Sequence, residues 1–100
     1  MAESIKVDKI LEKLSTTNSA DKELVIRAFE FAKKAHEGQV RYSGEPYVNH
    51  LAHVARMLAE IGMEAHTVAA GLLHDTIEDT NVTSEELQKE FGDEIFFLVQ

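Results

Sequence analysis

An apolar run that ends in a cluster of ionisable side chains is the feature that most constrains the fold of this chain. Residues 68–73, VAAGLL, are apolar on every side, and the sequence HDTIED, residues 74–79, follows directly. Such a run is typical of a buried central helix. On a helix, His74 and Glu78 are four residues apart and Asp75 and Glu78 three, so they share a face, with Asp79 one turn beyond Asp75. The run therefore predicts a helix whose carboxyl end carries one imidazole and three carboxylates.

This cluster favours a metal site over a solvated helix end. Adjacent carboxylates repel each other unless a cation lies among them, and the helix dipole disfavours carboxylates at a carboxyl terminus. Imidazole with carboxylate is a ligand set for a divalent ion such as Mn, Fe, Co, Ni or Zn. A second imidazole is needed, and the candidates are His36, His50, His53 and His66. We favour His50.

The other histidines have simpler explanations. His36 ends a helix after two lysines, which indicates an interaction with the helix dipole. His53 suits a surface or capping position, although it lies three residues after His50 and either of the two could face the cluster. His66 falls in the first turn of the buried helix.

The remaining pattern predicts an all-α chain. A loosely helical segment covers Ile5 to Leu14, and the loop from Gly38 to Pro46 contains the only proline. Between them, an amphipathic helix is predicted from Asp21 to about His36, capped by Asn18 or Ser19, with an apolar set of Leu24, Val25, Ala28, Phe31, Ala32 and Ala35. Further helices are predicted over Tyr47–Ile61, stopped by Gly62, over Ala65 to about Ile77, and after a Thr83–Glu86 capping box, with a break near Gly92.

The amino-acid composition limits the classes of partner that this chain can bind. Ten basic against eighteen acidic residues give a net charge of -8, which argues against a nucleic-acid-binding surface. The chain has no cysteine, no run of membrane-spanning length and no secretion signal at its start. We expect a soluble, cytoplasmic protein that binds neither nucleic acid nor membrane.

The last residues, IFFLVQ, are densely apolar and contain no glycine, proline or basic residue to end a helix. The segment from Ile95 to Val99 therefore needs a covering surface. We expect either that the natural domain continues past Gln100, so that this chain is its N-terminal part, or that self-association covers the segment.

Three linked motifs resemble the N-terminal HD hydrolase domain of RelA/SpoT homologues, the enzymes that degrade the alarmone (p)ppGpp. The motifs, in family order and spacing, are AHEGQ at residues 35–39, RYSGEPYVNH at 41–50 and LLHDTIEDT at 72–80, followed by Phe91-Gly92. The resemblance covers roughly residues 21–100. It implies an all-α HD-domain bundle, truncated at its C-terminus, with residues 1–18 as a leading helix and linker and residues 19–100 as HD-domain helices.

The resemblance also implies an activity and a site. The activity is removal of the 3′-pyrophosphate from ppGpp or pppGpp. His50, His74 and Asp75 match the ligands of one Mn²⁺ ion, Glu78 and Asp79 match the pair that orients or deprotonates the attacking water, and Arg41 and Ser43 belong to the loop that receives the guanosine nucleotide.

The chain departs from the family pattern at four points. Tyr42 replaces a usual lysine, and Leu51 replaces a usual proline. The family's last metal ligand, an aspartate on a later helix, has no counterpart before Gln100, and no synthetase or regulatory domain is present. Two alternatives therefore remain open: an HD phosphohydrolase for another nucleotide or phosphoester, and a non-catalytic helical module that binds the alarmone or a protein partner.

Overall fold

A computed structural model describes residues 7–14, 18–40 and 43–99, without the side chains of Asp8 and Asp75. This part of the chain forms five α-helices: α1 Val7–Lys13, α2 Ser19–Ala35, α3 Tyr47–Glu60, α4 Ala65–Asp79 and α5 Ser84–Val99. Within those ranges there is no β-strand, and the one isolated β-bridge pairs Val40 with Pro46. The prediction of an all-α fold is confirmed, and α4 extends to Asp79, beyond the predicted end near Ile77.

Helix α4 is the central element of the fold. It packs against α2, α3 and α5, and Val68, Leu72 and Leu73 are completely buried. The prediction of a buried central helix is confirmed for this part of α4. His74 and Glu78 are exposed, so the ionisable end of the helix emerges from the core that its apolar run helps to build.

Helix α2 begins at the cap that its sequence predicts. The Asn18 side-chain oxygen accepts hydrogen bonds from the backbone N–H groups of Ala20 and Asp21, at 2.8 and 3.2 Å. Such a cap satisfies amide groups that have no partner inside the helix. The predicted apolar set faces the core, since Val25, Ala28 and Ala32 are buried and Leu24 and Phe31 pack partly buried against them. The set omitted Phe29, which is 5% exposed and also belongs to the core.

Helix α5 is broken at Gly92, as predicted. Gly92 has φ 88° and ψ 173°, a backbone conformation that is essentially restricted to glycine. At the start of the helix, the Thr83 hydroxyl accepts a hydrogen bond from the backbone N–H of Glu86 at 3.2 Å, which confirms the predicted cap. The break lets residues before and after Gly92 pack on different neighbours.

Phe91, just before the break, holds α5 against α2. Its ring meets the ring of Phe31 edge to face, with centroids 5.3 Å apart, and the Arg27 guanidinium lies 5.2 Å from its centroid. Arg27 also donates a hydrogen bond to the backbone oxygen of Glu90 at 2.6 Å. These side-chain contacts link the first half of α5 to α2.

The second half of α5 is only partly covered. Ile95 and Val99 are buried, but Phe97 is 79% exposed and Leu98 43% exposed. The chain therefore covers one side of the Ile95–Val99 segment and leaves an apolar side in solvent. No helix in the described ranges is long and apolar enough to cross a membrane.

Candidate functional site

Helices α3 and α4 run antiparallel, which brings the start of α3 beside the end of α4. A Cβ added to Gly71 would lie 2.7 Å from Leu58 Cδ1, so the two helices touch closely there. At the other end, the Tyr47 hydroxyl lies 3.4 Å from Asp79 Oδ2. As the residue number rises from 47 to 58 along α3, its neighbours on α4 fall from 79 to 71. His50 in the first turn of α3 therefore lies alongside the last turns of α4.

The loop between α2 and α3 folds back on itself. The backbone N–H of Tyr47 donates to the Gln39 carbonyl at 2.9 Å, and Val40 pairs with Pro46 as an antiparallel bridge. Within the described part of the loop, Ser43 is exposed and its hydroxyl accepts a hydrogen bond from Glu45 N at 3.4 Å. The predicted substrate residue Arg41 lies outside the described residues, and so does Tyr42.

His36 has a different environment from the one its sequence position indicates. It caps the carboxyl end of α2, as expected, but its side chain is only 2% exposed. Its Nδ1 lies 2.9 Å from Gln39 Oε1, and its Nε2 lies 3.3 Å from Thr76 Oγ1 on α4. The expectation of a helix-dipole role therefore misses its main partners, which are neutral side chains in the protein interior.

Tyr47 contacts three residues around the site: His36, His50 and Asp79. Its ring stacks on His36, with centroids 4.9 Å apart and an interplanar angle of 24°, and meets the His50 ring edge to face at 5.8 Å. Its hydroxyl lies 3.4 Å from Asp79 Oδ2. One aromatic side chain thus contacts both a predicted metal ligand, His50, and a predicted catalytic carboxylate, Asp79.

The predicted metal ligands lie on the two antiparallel helices. His50 is half-buried on α3, His74 is exposed on α4, and the side chain of Asp75 is outside the description. Among the side chains that are described, no three His, Asp or Glu residues gather closely enough to hold a metal ion. Because the predicted set includes Asp75, the triad of His50, His74 and Asp75 stays a prediction. Glu78 and Asp79 are both exposed at the end of α4.

Three residues near the site were given no role from sequence. Gln39 donates from its side-chain amide to the Asp79 carbonyl at 2.9 Å. Thr76 is completely buried, and Asn49 is 1% exposed with a side-chain oxygen that has no hydrogen-bond partner among the described residues. The signal in the sequence is their position: each lies inside one of the motifs, and Asn49 and Thr76 directly adjoin the predicted metal ligands His50 and Asp75.

Two open pockets flank this region. A pocket of about 640 Å³ separates the end of α2 from the α4–α5 turn, and a pocket of about 220 Å³ lies between α3, α4 and α5. The larger one is lined by Phe31, Lys34, Ala35, Thr80, Asn81, Val82, Glu86 and Glu90. The smaller one is lined by Leu58, Thr67, Ala70, Gly71, His74 and Leu98, so His74 borders an apolar space.

Comparison with known proteins gives one family and several close relatives. The profile of the HD domain family matches residues 28–100. A guanosine-3′,5′-bis(diphosphate) 3′-pyrophosphohydrolase from Aquifex aeolicus is 45% identical over 96 residues, which is 96% of this chain and 14% of that protein. A protein of the same name from Vibrio cholerae is 48% identical over 77 residues, 77% of this chain and 11% of that protein.

A relative with a different name is equally similar. A probable GTP pyrophosphokinase from Mycobacterium leprae is 52% identical over 80 residues, 80% of this chain and 10% of that protein. The chain therefore spans about a seventh or less of the length of these relatives. The resemblance to RelA/SpoT homologues is confirmed, and the names of these relatives include both a pyrophosphohydrolase and a pyrophosphokinase.

Proposed function

The chain belongs to the HD domain family, and we propose that it acts as a metal-dependent guanosine-3′,5′-bis(diphosphate) 3′-pyrophosphohydrolase. In this reaction water attacks the 3′-diphosphate of ppGpp or pppGpp, and the products are pyrophosphate with GDP or GTP. The observation that carries the proposal is the approach of His50 to the carboxyl end of α4, where Tyr47 contacts both His50 and Asp79. Relatives named for this hydrolysis are 45% and 48% identical to the chain over the aligned residues.

The donor set fits a divalent transition ion. His50, His74 and Asp75 supply two imidazoles and one carboxylate, a combination that suits Mn²⁺ and its neighbours. Neither imidazole is enclosed in the core, since His50 is half-buried and His74 is exposed. We propose Mn²⁺ at these three residues. When bound, such an ion polarises a phosphoryl oxygen and acidifies water.

Glu78 and Asp79 are the proposed catalytic carboxylates. Both are exposed at the end of α4 and so are accessible to water and to a nucleotide. A carboxylate that is not a metal ligand can accept a proton from the attacking water or orient it by a hydrogen bond. The Tyr47 hydroxyl, 3.4 Å from Asp79 Oδ2, donates to one oxygen of this carboxylate.

Arg41 and Ser43 are the proposed nucleotide-binding residues. A guanidinium binds phosphate through two parallel hydrogen bonds, and a serine hydroxyl can donate to a phosphate or a base. The loop that carries them is tied at its base by the contact of Tyr47 N with the Gln39 carbonyl. A nucleotide held by this loop would lie next to the first turn of α3 and therefore next to His50.

The larger pocket is a poor site for the nucleotide despite its volume of about 640 Å³. Among the described residues that line it, Glu86 and Glu90 are opposed by one cation, Lys34. Carboxylates repel a polyphosphate, and the cost rises as water is excluded. We therefore assign the nucleotide to the loop that carries Arg41 and Ser43.

Hydrolysis of ppGpp by the purified chain tests the proposal. The chain with Mn²⁺ should convert ppGpp to GDP and pyrophosphate, measured by anion-exchange chromatography, and chelator should stop the reaction. His74→Ala should lower kcat/KM by more than about 100-fold, because even loss of an outer-shell partner costs about 10- to 100-fold. His53→Ala is the matched control on α3, since His53 is exposed and has no assigned role. Absence of product from the folded, Mn²⁺-supplied chain would contradict the proposal.

The same assay separates the two alternatives. An HD phosphohydrolase for another nucleotide would release product from dNTPs or NADPH and would not need Arg41. A non-catalytic module would bind ppGpp in calorimetry with equal affinity in the presence and absence of chelator, and would release no product. For the proposed hydrolase, Arg41→Ala should weaken ppGpp hydrolysis, because phosphate contacts from arginine are charge-assisted.

A further inference from the structure

A chain of hydrogen bonds links the carboxyl end of α2 to the carboxyl end of α4. Gln39 Nε2 donates to the Asp79 backbone oxygen at 2.9 Å. A carbonyl oxygen can only accept, so the amide orientation of Gln39 is fixed and its Oε1 must face His36 Nδ1, 2.9 Å away. Because Oε1 can only accept, Nδ1 carries the proton. In the neutral ring Nε2 is then an acceptor, and the Thr76 hydroxyl donates to it at 3.3 Å.

These hydrogen bonds contribute to the C-terminal cap of α4. The last carbonyl groups of a helix have no partner within the helix. Helix α4 has no basic residue in its last turn, and its C-cap Thr80 is extended, with ψ -178°. The Thr80 hydroxyl donates to the Thr76 carbonyl, and Gln39 donates to the Asp79 carbonyl. The terminal residue of α4 is thus held by a side chain from the loop before α3.

Tyr47 forms a second link to the same helix end. Its ring lies flat on His36, with centroids 4.9 Å apart, so the buried imidazole fixes the ring plane. From that position the ring edge contacts His50 and the hydroxyl reaches Asp79 Oδ2. Asp79 is therefore held at its backbone by Gln39 and at its carboxylate by Tyr47, and both of these residues are oriented by His36.

We infer that His36, Gln39 and Tyr47 are positioning residues that hold the Asp79 carboxylate and the His50 imidazole in a fixed mutual arrangement. Their effect on turnover rests on the proposed function, in which Asp79 orients or deprotonates water. The arrangement of the side chains does not rest on the proposed function, because it depends only on their contacts with one another. A small displacement of a catalytic group can lower the rate steeply even when substrate binding is kept.

Two near-isosteric variants test this inference. Gln39→Glu replaces the donating amide by a carboxylate oxygen, which repels the Asp79 carbonyl. Tyr47→Phe keeps the ring on His36 and removes the hydroxyl. Gln88→Glu is the matched control, because Gln88 also donates from its amide, to Asp93 Oδ1 at 2.8 Å, on the exposed surface of α5.

Kinetics of the full 100-residue chain provide the first measurement. Gln39→Glu and Tyr47→Phe should each lower kcat for ppGpp by roughly 10- to 100-fold, the range found when outer-shell partners are lost. KM should change by less than about twofold, because neither residue is assigned a contact with the nucleotide and only the placement of a catalytic group is disturbed. Gln88→Glu should leave both constants unchanged. A purely structural role predicts a lower fraction of folded protein with unaltered kcat per folded molecule, and that result would overturn the inference.

NMR spectroscopy provides a second measurement that does not depend on activity. Long-range ¹H–¹⁵N spectra should show His36 protonated at Nδ1, and Tyr47→Phe should shift the Asp79 carboxylate carbon and the His50 ring protons. Gln88→Glu should move neither. A proton on Nε2 of neutral His36, or an unchanged Asp79 resonance in Tyr47→Phe, would overturn the inference. If the unmodified chain releases no product, the proposed function fails, and these spectra still decide the positioning role.

Discussion

Replacing Asn49 with leucine should stabilise this protein by about 1–3 kcal/mol, the usual desolvation cost of a buried polar group that lacks a hydrogen bond. Asn49 is 1% exposed, and its side-chain oxygen has no partner among the described residues. Leucine has the same branching at Cγ, so it fills nearly the same space. It also removes the polar atom and has a better helix propensity, by a few tenths of a kcal/mol.

The size of the effect follows from where Asn49 lies. It is the third residue of α3, in a part of the helix that packs onto the core beside Leu51 and Ala52. Each kcal/mol moves the melting temperature of a domain of this size by roughly 4–8 °C, so Tm should rise by at least about 4 °C. Thermal and urea unfolding followed by circular dichroism measure the change.

Asn81→Leu is the control for this experiment. Asn81 is exposed in the α4–α5 turn, and such surface substitutions stay within about 0.5 kcal/mol. A buried polar group without a hydrogen bond costs about 1 kcal/mol or more. If Asn49→Leu lowers the free energy of unfolding, or changes it by less than about 0.3 kcal/mol, the Asn49 oxygen has a hydrogen-bond partner and the expected stabilisation is refuted.

Three further substitutions test other parts of the fold. Gly92→Ala should destabilise the chain by about 1–3 kcal/mol through the backbone conformation alone, since a Cβ at this position meets no atom within 4 Å. Urea denaturation that shows no loss of stability would contradict the break in α5. Asn18→Ala should cost about 1 kcal/mol through loss of the α2 cap, read from the urea midpoint at constant m-value, and an unchanged midpoint would show that the cap is dispensable. Glu94→Gln should change stability by less than about 0.5 kcal/mol, because the 3.5 Å contact of Glu94 with His66 lies on the surface. A larger loss of stability in thermal unfolding would contradict this expectation.

The helices of this fold are predictable from sequence because their signals are local. The Asn18 cap, the Thr83 cap and the break at Gly92 depend on residues within a few positions of each other, and all three are confirmed. Periodicity also identified α4 as central. On α2 it omitted Phe29, which is buried beside the predicted set, because the face that packs on the core is wider than the stripe chosen from the spacing.

The polar contacts around the site were not predictable in the same way. His36 and Thr76 are 40 residues apart in sequence, and so are Gln39 and Asp79. Their contact depends on how the end of α2 docks against the end of α4, which no local pattern encodes. Short polar side chains are also ambiguous, because the same residue types serve as solvated surface or as buried partners. The motif that contains His36 and Gln39 could be recognised, but its physical role required the fold.

The prediction of the metal ligands depends partly on local spacing and partly on how α3 packs against α4. The helical spacing of His74, Asp75 and Glu78 is a local property, and α4 is helical throughout that stretch. The choice of His50 over His53 depended on which face of α3 meets α4. His50 contacts Tyr47, which reaches Asp79, whereas His53 is exposed. The assignment of His50 as a metal ligand stays a prediction.

Anomalous diffraction from crystals of this chain grown with Mn²⁺ tests the proposed metal site most directly. If His50, His74 and Asp75 bind one ion, a single anomalous peak lies within bonding distance of an imidazole nitrogen of His50, an imidazole nitrogen of His74 and a carboxylate oxygen of Asp75. His53→Ala crystals should keep the peak, and His50→Ala crystals should lose it. A peak that contacts only one of the two histidines, or His50 and His74 nitrogens too far apart for a single ion to join, would contradict the central claim.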